Sequence, residues 1–561
     1  MSLARYFPFL RWARPTPRAM FADARAGFSV GLVLVPQAVA YATLAGMPPE
    51  TGLYAAMIPS IIGVLWGSSS LLAAGPVALT GLLTFGSLQN MGTPGSAEWV
   101  TAAMWLAIYS GLIQFALGAF KLGAIANFVS FPALKGFINA AALIIISSQL
   151  PALLGIEGGW SLPHVQQWAS SLLMLDLTTI TTLAIGAGSF VFLLGFKKWM
   201  PQQPAVLYVC LLGILISYLT GFVGEGGAVV GALPSGLPSL VMPQVLTFDQ
   251  HRMLLPAALI VALVSFTEAM SSARTLSRKR GERWDENQEL IGQGLAKVAS
   301  GFFGAFPISG SFSRSALNLY VGATSGWSSI YAALCVAISL MFFTGQLALL
   351  PKAVLAAVII VPVLNLLDFG VFLKLGKSSP EDALTAGVTF VTTLISVPHL
   401  HWGVLSGFLL AMLISVYRRS RPRIMEVGLH AEDRVFRDRQ RCDLPRLQRQ
   451  VLMVRIDSAL IYTTAPALES FVLDHLDAET REVVILCGGI NDIDATGIEM
   501  LTELYHYLDK RQIRLRLASV KLQVWQRLER AGFTTLIGSK QCFLTDADVI
   551  RSYAPALAQV S

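Results

Sequence analysis

Long apolar runs broken by short polar or Gly/Pro-marked turns fill the first three quarters of the chain. A hydrocarbon core about 30 Å thick needs roughly 20 apolar residues per straight helix. Runs that approach this length lie near 27–46, 50–66, 101–120, 136–154, 177–196, 205–222, 253–273, 287–306, 327–347, 351–367, 381–396 and 400–417. After Arg423 the pattern changes. Val451–Ile456, Glu482–Cys487 and Ile513–Ala518 have strand patterns, and Ala465–Leu476, Ile498–Asp509 and Lys521–Ala531 have helical spacing. That alternation predicts a small α/β domain. It carries neither a P-loop nor a nucleophile constellation.

Two further apolar pieces, 76–90 and 311–322, are too short or too polar for a full crossing. Each follows an extended Gly/Pro-marked segment, Leu71–Pro76 and Ala305–Gly310. Irregular backbone at membrane depth is tolerated only where it is buried in protein or lines a cavity, so both are expected to be broken helices. Simple loops beside ordinary helices are the alternative. In the first half a polar residue within a span, Gln37, precedes the broken piece at Gly75–Leu79; in the second half Glu268 precedes Ser311–Ser315 at similar spacing. Interrupted segments at matching places in two halves point to a transporter's binding site. Helix amino ends carry partial positive charge and unpaired N–H groups, so two of them meeting mid-membrane make an anion site without a metal. Gly75 and Gly310 permit close backbone approach.

Charge distribution sharpens the division. Charged residues make up 13% of the 561 residues, against about 25% in soluble domains. Gly27 to Ala273 holds five Lys/Arg and seven Asp/Glu, whereas Arg418 to Ser561 holds 21 and 19. The expected organisation is a basic segment 1–26, a membrane domain 27–417, a charged linker 418–447 and a soluble domain 448–561. Basic residues mark the cytoplasmic side. Arg5, Arg11, Arg14, Arg18 and Arg25 precede the first span, and Lys121, Lys197–Lys198, Arg274–Arg283, Lys374–Lys377 and Arg418–Arg423 follow even-numbered ones. Fourteen segments in a seven-plus-seven inverted repeat, with both termini inside, satisfy this throughout. The net charge of +7 sits beside the apolar segments and gives no reason to expect nucleic acid. Five cysteines without CxxC or metal spacing imply no disulfide framework, metal or cofactor. The first span, with Pro36 and Gln37 at its centre, has no cleavage site after it and is expected to be retained.

Within this frame Arg314 is the clearest positive feature. A guanidinium so deep costs about 2.5–3.5 kcal/mol on insertion scales; attraction of anions, or pairing with Glu268 or nearby carbonyls, would offset it. Glu268 is an acidic residue in the middle of an apolar span, a candidate proton carrier or else a structural carboxyl group paired with Arg314 or with Ser272 one turn later. Ser311 and Ser313 can cap a helix, donate to an oxyanion, or both. Gln37 and Tyr41 share one helical face, where they can orient a polar substrate or hydrogen-bond between helices. The Gly52 and Gly292–Gly294 glycines are assigned to helix packing. In the soluble domain Asp494 and Thr496 open a helix; Thr496 is either a phosphorylation or partner site or part of an N-cap.

Four stretches together resemble the SulP anion transporters, the sulfate permease family. They are VPQAVAYATLAGMPPETGLYAAMIPS in the first half, GPVA at Gly75–Ala78, PISGSFSRSALN at Pro307–Asn318 and DIDATG in the tail. The resemblance spans nearly the whole chain and includes a tail similar to STAS domains. It implies a fourteen-span inverted-repeat fold with core and gate parts, elevator-like motion and a homodimer in a bacterial inner membrane. It further implies an anion between half-helices starting near Val77–Ala78 and Ser311, lined by Gln37, Tyr41, Phe312, Ser313 and Arg314. Glu268 falls where the family has an acidic coupling residue, and a glutamate there favours protons over sodium. The expected function is secondary active transport of sulfate, bicarbonate or a dicarboxylate, with no enzymatic activity. The alternatives are a nucleobase permease of the same fold and a membrane-anchored anion sensor.

Overall fold

The computed structural model describes residues 7–12, 16–124, 130–156, 177–200, 204–430, 432–538 and 541–555. Arg5 and Arg14, counted above toward orientation, lie outside the described residues, as do the side chains of Arg11 and Lys197. The chain divides into two units, Met1–Ala411 and Met412–Ser561.

The first unit is helical. Thr16 accepts from Ala19 N at 3.2 Å and starts α1 (Pro17–Leu44), which runs through Pro36 as one helix. The expected span 50–66 is instead two short helices, α2 (Pro49–Ala55) and α3 (Ile58–Trp66), interrupted at Ala56–Met57. A three-residue strand β1 (Ala73–Gly75) then leads to α4 (Ala78–Ser87). Full-length helices follow as α5 (Ala97–Ala119), α6 (Phe131–Leu154) and α7 (Leu177–Trp199), then the shorter α8 (Ala205–Leu219). The second half opens with α9 (Phe248–Arg280), begun by a capping box of Thr247 and Gln250 and ended by left-handed Gly281. It continues with α10 (Glu286–Phe302), strand β2 (Ser309–Ser311), α11 (Phe312–Val321), α12 (Trp327–Phe342), α13 (Thr344–Ala348) and α14 (Lys352–Leu364). The last are α15 (Gly370–Ser378), α16 (Pro380–Ile395) and α17 (His401–Arg419). Both segments expected to be broken, 76–90 and 311–322, are ten-residue helices preceded by extended chain. Among the described residues, six helices are long and apolar enough to cross a membrane by length and composition.

Small residues let these helices approach closely, as membrane packing requires. The α5–α10 contact is the most extensive between helices. A methyl group added at Gly294 would stand 2.6 Å from Phe115 N and 2.7 Å from Gly111 O, so the two backbones touch there. Buried acids tie the turns down. Asp23 on α1 accepts from Thr324 N at 2.5 Å and Ser325 N at 3.1 Å, and Glu289 on α10 accepts from Ser68 N at 3.0 Å and Ser69 N at 2.9 Å.

The second unit holds a six-stranded sheet ordered β4–β3–β5–β6–β7–β8. Its strands are β3 (Ile424–His430), β4 (Val435–Asp438), β5 (Val451–Ile456), β6 (Glu482–Leu486), β7 (Arg514–Ala518) and β8 (Cys542–Phe543). Strand β3 pairs antiparallel with both β4 and β5, and β5 to β8 run parallel. The helices are α18 (Ala465–Asp474), α19 (Ala495–Lys510), α20 (Leu522–Arg530), α21 (Phe533–Ile537) and α22 (Asp546–Tyr553). Alternate residues of β5 face opposite sides. Leu452, Val454 and Ile456 join the core under α18–α21, and Val451 and Met453 pack with Val549 and Tyr553 of α22.

One boundary needs correction. Residues 418–447, expected to be a charged linker, contain β3 and β4. Their charges pair locally, as Glu426 does with Arg439 and Arg446 at 2.5 Å each, so a polar-looking stretch is sheet.

Gly294→Val should overpack the α5–α10 contact at a cost of about 1–3 kcal/mol. Gly188→Ala, where a methyl meets nothing within 4 Å, should be neutral. Thermal unfolding in detergent, followed by tryptophan fluorescence, checks the pair.

Candidate functional site

The two broken segments meet. Strands β1 and β2 pair antiparallel, with Ala73 opposite Ser311, Ala74 opposite Gly310 and Gly75 opposite Ser309. Helix α4 starts just beyond Gly75 and α11 directly after Ser311. Each half-helix therefore has its amino end, not its carboxyl end, at this ladder. The ladder pairs backbone that would otherwise be unsatisfied in an apolar interior. Ser315 Oγ adds a bond from Ala73 N at 2.8 Å, fastening α11 to β1.

The two amino ends differ. Ser311 Oγ accepts from Arg314 N at 3.4 Å and lies 3.4 Å from Ser313 Oγ, so capping is one of its roles. Val77, at the N-cap of α4, supplies no side-chain bond, which leaves the first N–H groups of α4 without an intrahelical or capping partner. Gly75, Val77 and Ala78 are all buried.

Arg314 is 2% exposed and its guanidinium lies against Gly75. A methyl group on Gly75 would stand 3.2 Å from Arg314 Nη2 and 3.3 Å from Ser60 Oγ. Arg314 Nε and Nη2 are buried with no hydrogen-bond partner, as are Glu268 Oε2 and Gln37 Oε1. Glu268 and Arg314 attract one another, and Tyr41 interacts with both, yet no ion pair joins the two among the described residues. Buried polar groups without partners are rare and costly; two guanidinium nitrogens left open beside helix amino ends are what an oxyanion would satisfy.

The remaining expected residues fall into place unevenly. Gln37 and Tyr41 are buried on α1, as their spacing implies. Phe312 is 57% exposed and Ser313 is also exposed, so both lie on the open side of α11 instead of being enclosed. Ser272 donates to the Glu268 main-chain carbonyl at 3.2 Å, a tie to the backbone and not to the carboxyl group. In the second unit Asp494 caps α19 by accepting from Gly497 N at 2.8 Å, and Thr496 stands exposed in the first turn.

Sequence reasoning missed a second polar cluster behind β2. Lys297 of α10 is fully buried and donates to Gln114 Oε1 at 2.7 Å and Ser265 Oγ at 2.8 Å. The signal was available, because Lys297 is the one basic residue between Arg283 and Arg314. Glu289, satisfied by Ser68, Ser69 and Gln293, is a second buried carboxylate in the second half that the sequence reading passed over.

The model of the sulfate permease family matches residues 20–389, and that of the STAS domain matches residues 445–549. The chain belongs to the sulfate permease family. A "Probable sulfate transporter" of Mycobacterium tuberculosis is 30% identical over 550 residues, covering 97% of this chain and 96% of the relative. "Probable sulfate transporter 4.2" of Arabidopsis thaliana is 28% identical, with 97% and 83% covered. Among solved structures, murine Solute Carrier 26 family member A9, an anion transporter captured inward-facing, superposes with a TM-score of 0.89 at 22% identity, over 98% of this chain and 94% of that one. The transmembrane domain of the cyanobacterial bicarbonate transporter BicA superposes with a TM-score of 0.60 at 21% identity, over 70% and 98%. These likenesses establish the membrane-transporter fold with a STAS domain.

In this sulfate permease family member, Gly75→Ala should push the Arg314 guanidinium out of position. Sulfate affinity, titrated through intrinsic fluorescence, should fall roughly tenfold, about 1.4 kcal/mol, and the melting temperature should fall too, because Gly75 has a φ of 155° that a side chain rarely adopts.

Proposed function

We propose that the protein is a secondary active transporter of small oxyanions, coupled to protons. The single observation that carries this reading is the pair of partnerless, buried Arg314 nitrogens beside two half-helix amino ends. Sulfate, bicarbonate and dicarboxylates all present acceptor oxygens and negative charge to such donors. A neutral nucleobase would leave the guanidinium charge uncompensated, which is costly in a buried site. The relatives whose names specify sulfate transport support the substrate class, and the fold likeness to a bicarbonate transporter keeps bicarbonate among the candidates.

In this reading the anion lies against Arg314, the open N–H groups of Ala78–Thr80 and the Ser311–Ser313 turn, with Gln37 and Tyr41 orienting it from α1. Glu268, whose Oε2 has no partner, takes up and gives back the coupling proton, and Ser272 steadies its backbone. Neutralising Glu268 strengthens the positive field at the site, so proton and anion load together. Fourteen membrane segments in two inverted halves, both termini cytoplasmic, a bacterial inner membrane and a homodimer complete the proposal. Because the ladder ties both half-helices together, the site would travel as one body in an elevator-like step. Thr496 is the proposed regulatory position of the STAS domain.

Uptake into proteoliposomes of labelled sulfate and fumarate, competed by unlabelled anions at two pH values with and without sodium, tests the function. Accumulation driven by an inward proton gradient and indifferent to sodium is expected; binding without uptake would mean a sensor. Glu268→Gln should abolish the pH dependence of uptake while leaving sulfate binding in place. A variant that still concentrates sulfate with the proton gradient would remove Glu268 from the coupling role.

A further inference from the structure

The first hairpin of the second unit borders a cavity of about 390 Å³ that the transport reading does not use. Four guanidinium groups line it: Arg423 just before β3, Arg437 on β4, Arg441 in the turn after β4 and Arg455 on β5. Sheet register brings them together. Strand β3 pairs with both β4 and β5, which places its start beside the ends of the other two. Arg423 O accepts from Asp457 N at 3.0 Å, and Met425 stands opposite Arg455. The turn after β4 closes where Asp438 Oδ1 accepts from Arg441 N at 3.2 Å. Buried Phe436 and half-buried Met425 supply an apolar part of the wall.

The charges in this cavity do not cancel. Two carboxylates face the four guanidinium groups, Asp438 holding Arg423 at 3.3 Å and Asp457 holding Arg455 at 2.7 Å. Arg437 pairs with Asp433, which is not part of the wall. Arg441 is exposed and has no acidic partner among the described residues. Charges on an edge strand guard it against pairing with another chain, and Arg437 on β4 fits that use. The guard does not account for Arg423 and Arg455, which belong to the neighbouring strands, or for Arg441, which lies beyond the strand.

The position of the cavity along the chain indicates what covers it. Among the described residues, α17 is the least buried of the six helices able to cross a membrane, so it meets lipid over most of its surface. It ends at Arg419, and Arg423 is already cavity wall; four residues span at most about 14 Å. Between them, the Arg421 guanidinium stacks on Tyr417 at 4.6 Å, a pairing suited to headgroup level. The end of α17 and the cavity belong to one unit.

We propose that the cavity binds the phosphate of an anionic phospholipid headgroup, with Arg441 as the cation left open to it. Guanidinium forks match phosphate oxygens, and an anionic leaflet draws basic residues to its surface. Met425 and Phe436 offer the glycerol carbons an apolar wall. A zwitterionic headgroup would place its ammonium among four arginines. Soluble phosphate esters share the chemistry but lack the bilayer that concentrates the lipid beside α17. The site uses none of the residues assigned to transport, so it does not depend on Glu268 or Arg314.

Cys442 lines the same cavity and is an exposed free thiol, so its alkylation reports occupancy. The full-length protein is reconstituted in phosphatidylcholine nanodiscs with and without phosphatidylglycerol and treated with a neutral maleimide. Mass spectrometry of the Cys442 peptide gives the rate ratio between the two kinds of disc. Phosphatidylglycerol should slow alkylation about fivefold, the scale on which one basic residue acts near an anionic surface. Arg441→Gln should remove this protection. Arg449→Gln, which takes the same charge from an exposed position outside the cavity, should keep it. Glycerol 3-phosphate added to phosphatidylcholine discs should not protect. Equal rates in the two discs, protection that survives Arg441→Gln, or equal loss in both variants overturns the lipid site. Protection by glycerol 3-phosphate as strong as that by the lipid assigns the cavity to a soluble ester and overturns it too. If a variant fails to fold, the wild-type comparison of discs and ester decides.

Discussion

Backbone amides cannot be left unpaired in an apolar interior, and the centre of the membrane unit is organised around that constraint. Two stretches that are not helical, Ala73–Gly75 and Ser309–Ser311, satisfy each other across a three-residue ladder. Once they are paired, the helices that follow begin in the middle of the protein instead of at its surface. Their uncommitted N–H groups are concentrated at one place. The fold thus brings the partial positive charge of two helix amino ends to one place.

Charged side chains elaborate the same centre. Gly75 lets the Arg314 guanidinium lie close, and its φ of 155° is one that other residues rarely adopt. Glu268 and Lys297 arrive from α9 and α10, elements that also form the walls behind β2. Asp23 and Glu289 do different work. Each is saturated by backbone and side-chain donors and fixes a turn. Whether a buried acid keeps an oxygen open or has all of its acceptors filled separates the candidate coupling group from structural ones.

The helices were legible because runs of apolar residues and Gly/Pro breaks are local signals. The two half-helices stood out for the same reason: Gly75–Pro76 and Pro307–Gly310 interrupt otherwise apolar sequence. Gln37, Tyr41, Glu268 and Arg314 could be selected as polar residues where polarity is expensive. The ladder register could not, since it pairs residues from opposite halves. Lys297 was overlooked because its partners, Gln114 and Ser265, lie on other helices and give it meaning only in three dimensions. Strands β3 and β4 were hidden by charges that the sheet pairs internally, and the outward exposure of Phe312 follows from the direction in which α11 leaves the ladder, which no spacing records.

The bond from Ala73 to Ser315 joins positions 242 residues apart. A ribosome delivers the first of these long before the second, so β1 must wait without its partner while most of the membrane unit is synthesised. A nascent chain halted before residue 309 would contain α4 but no ladder to hold its amino end. Assembly of the ladder is therefore a late event in the birth of the molecule, and the first half cannot complete its centre ahead of the second.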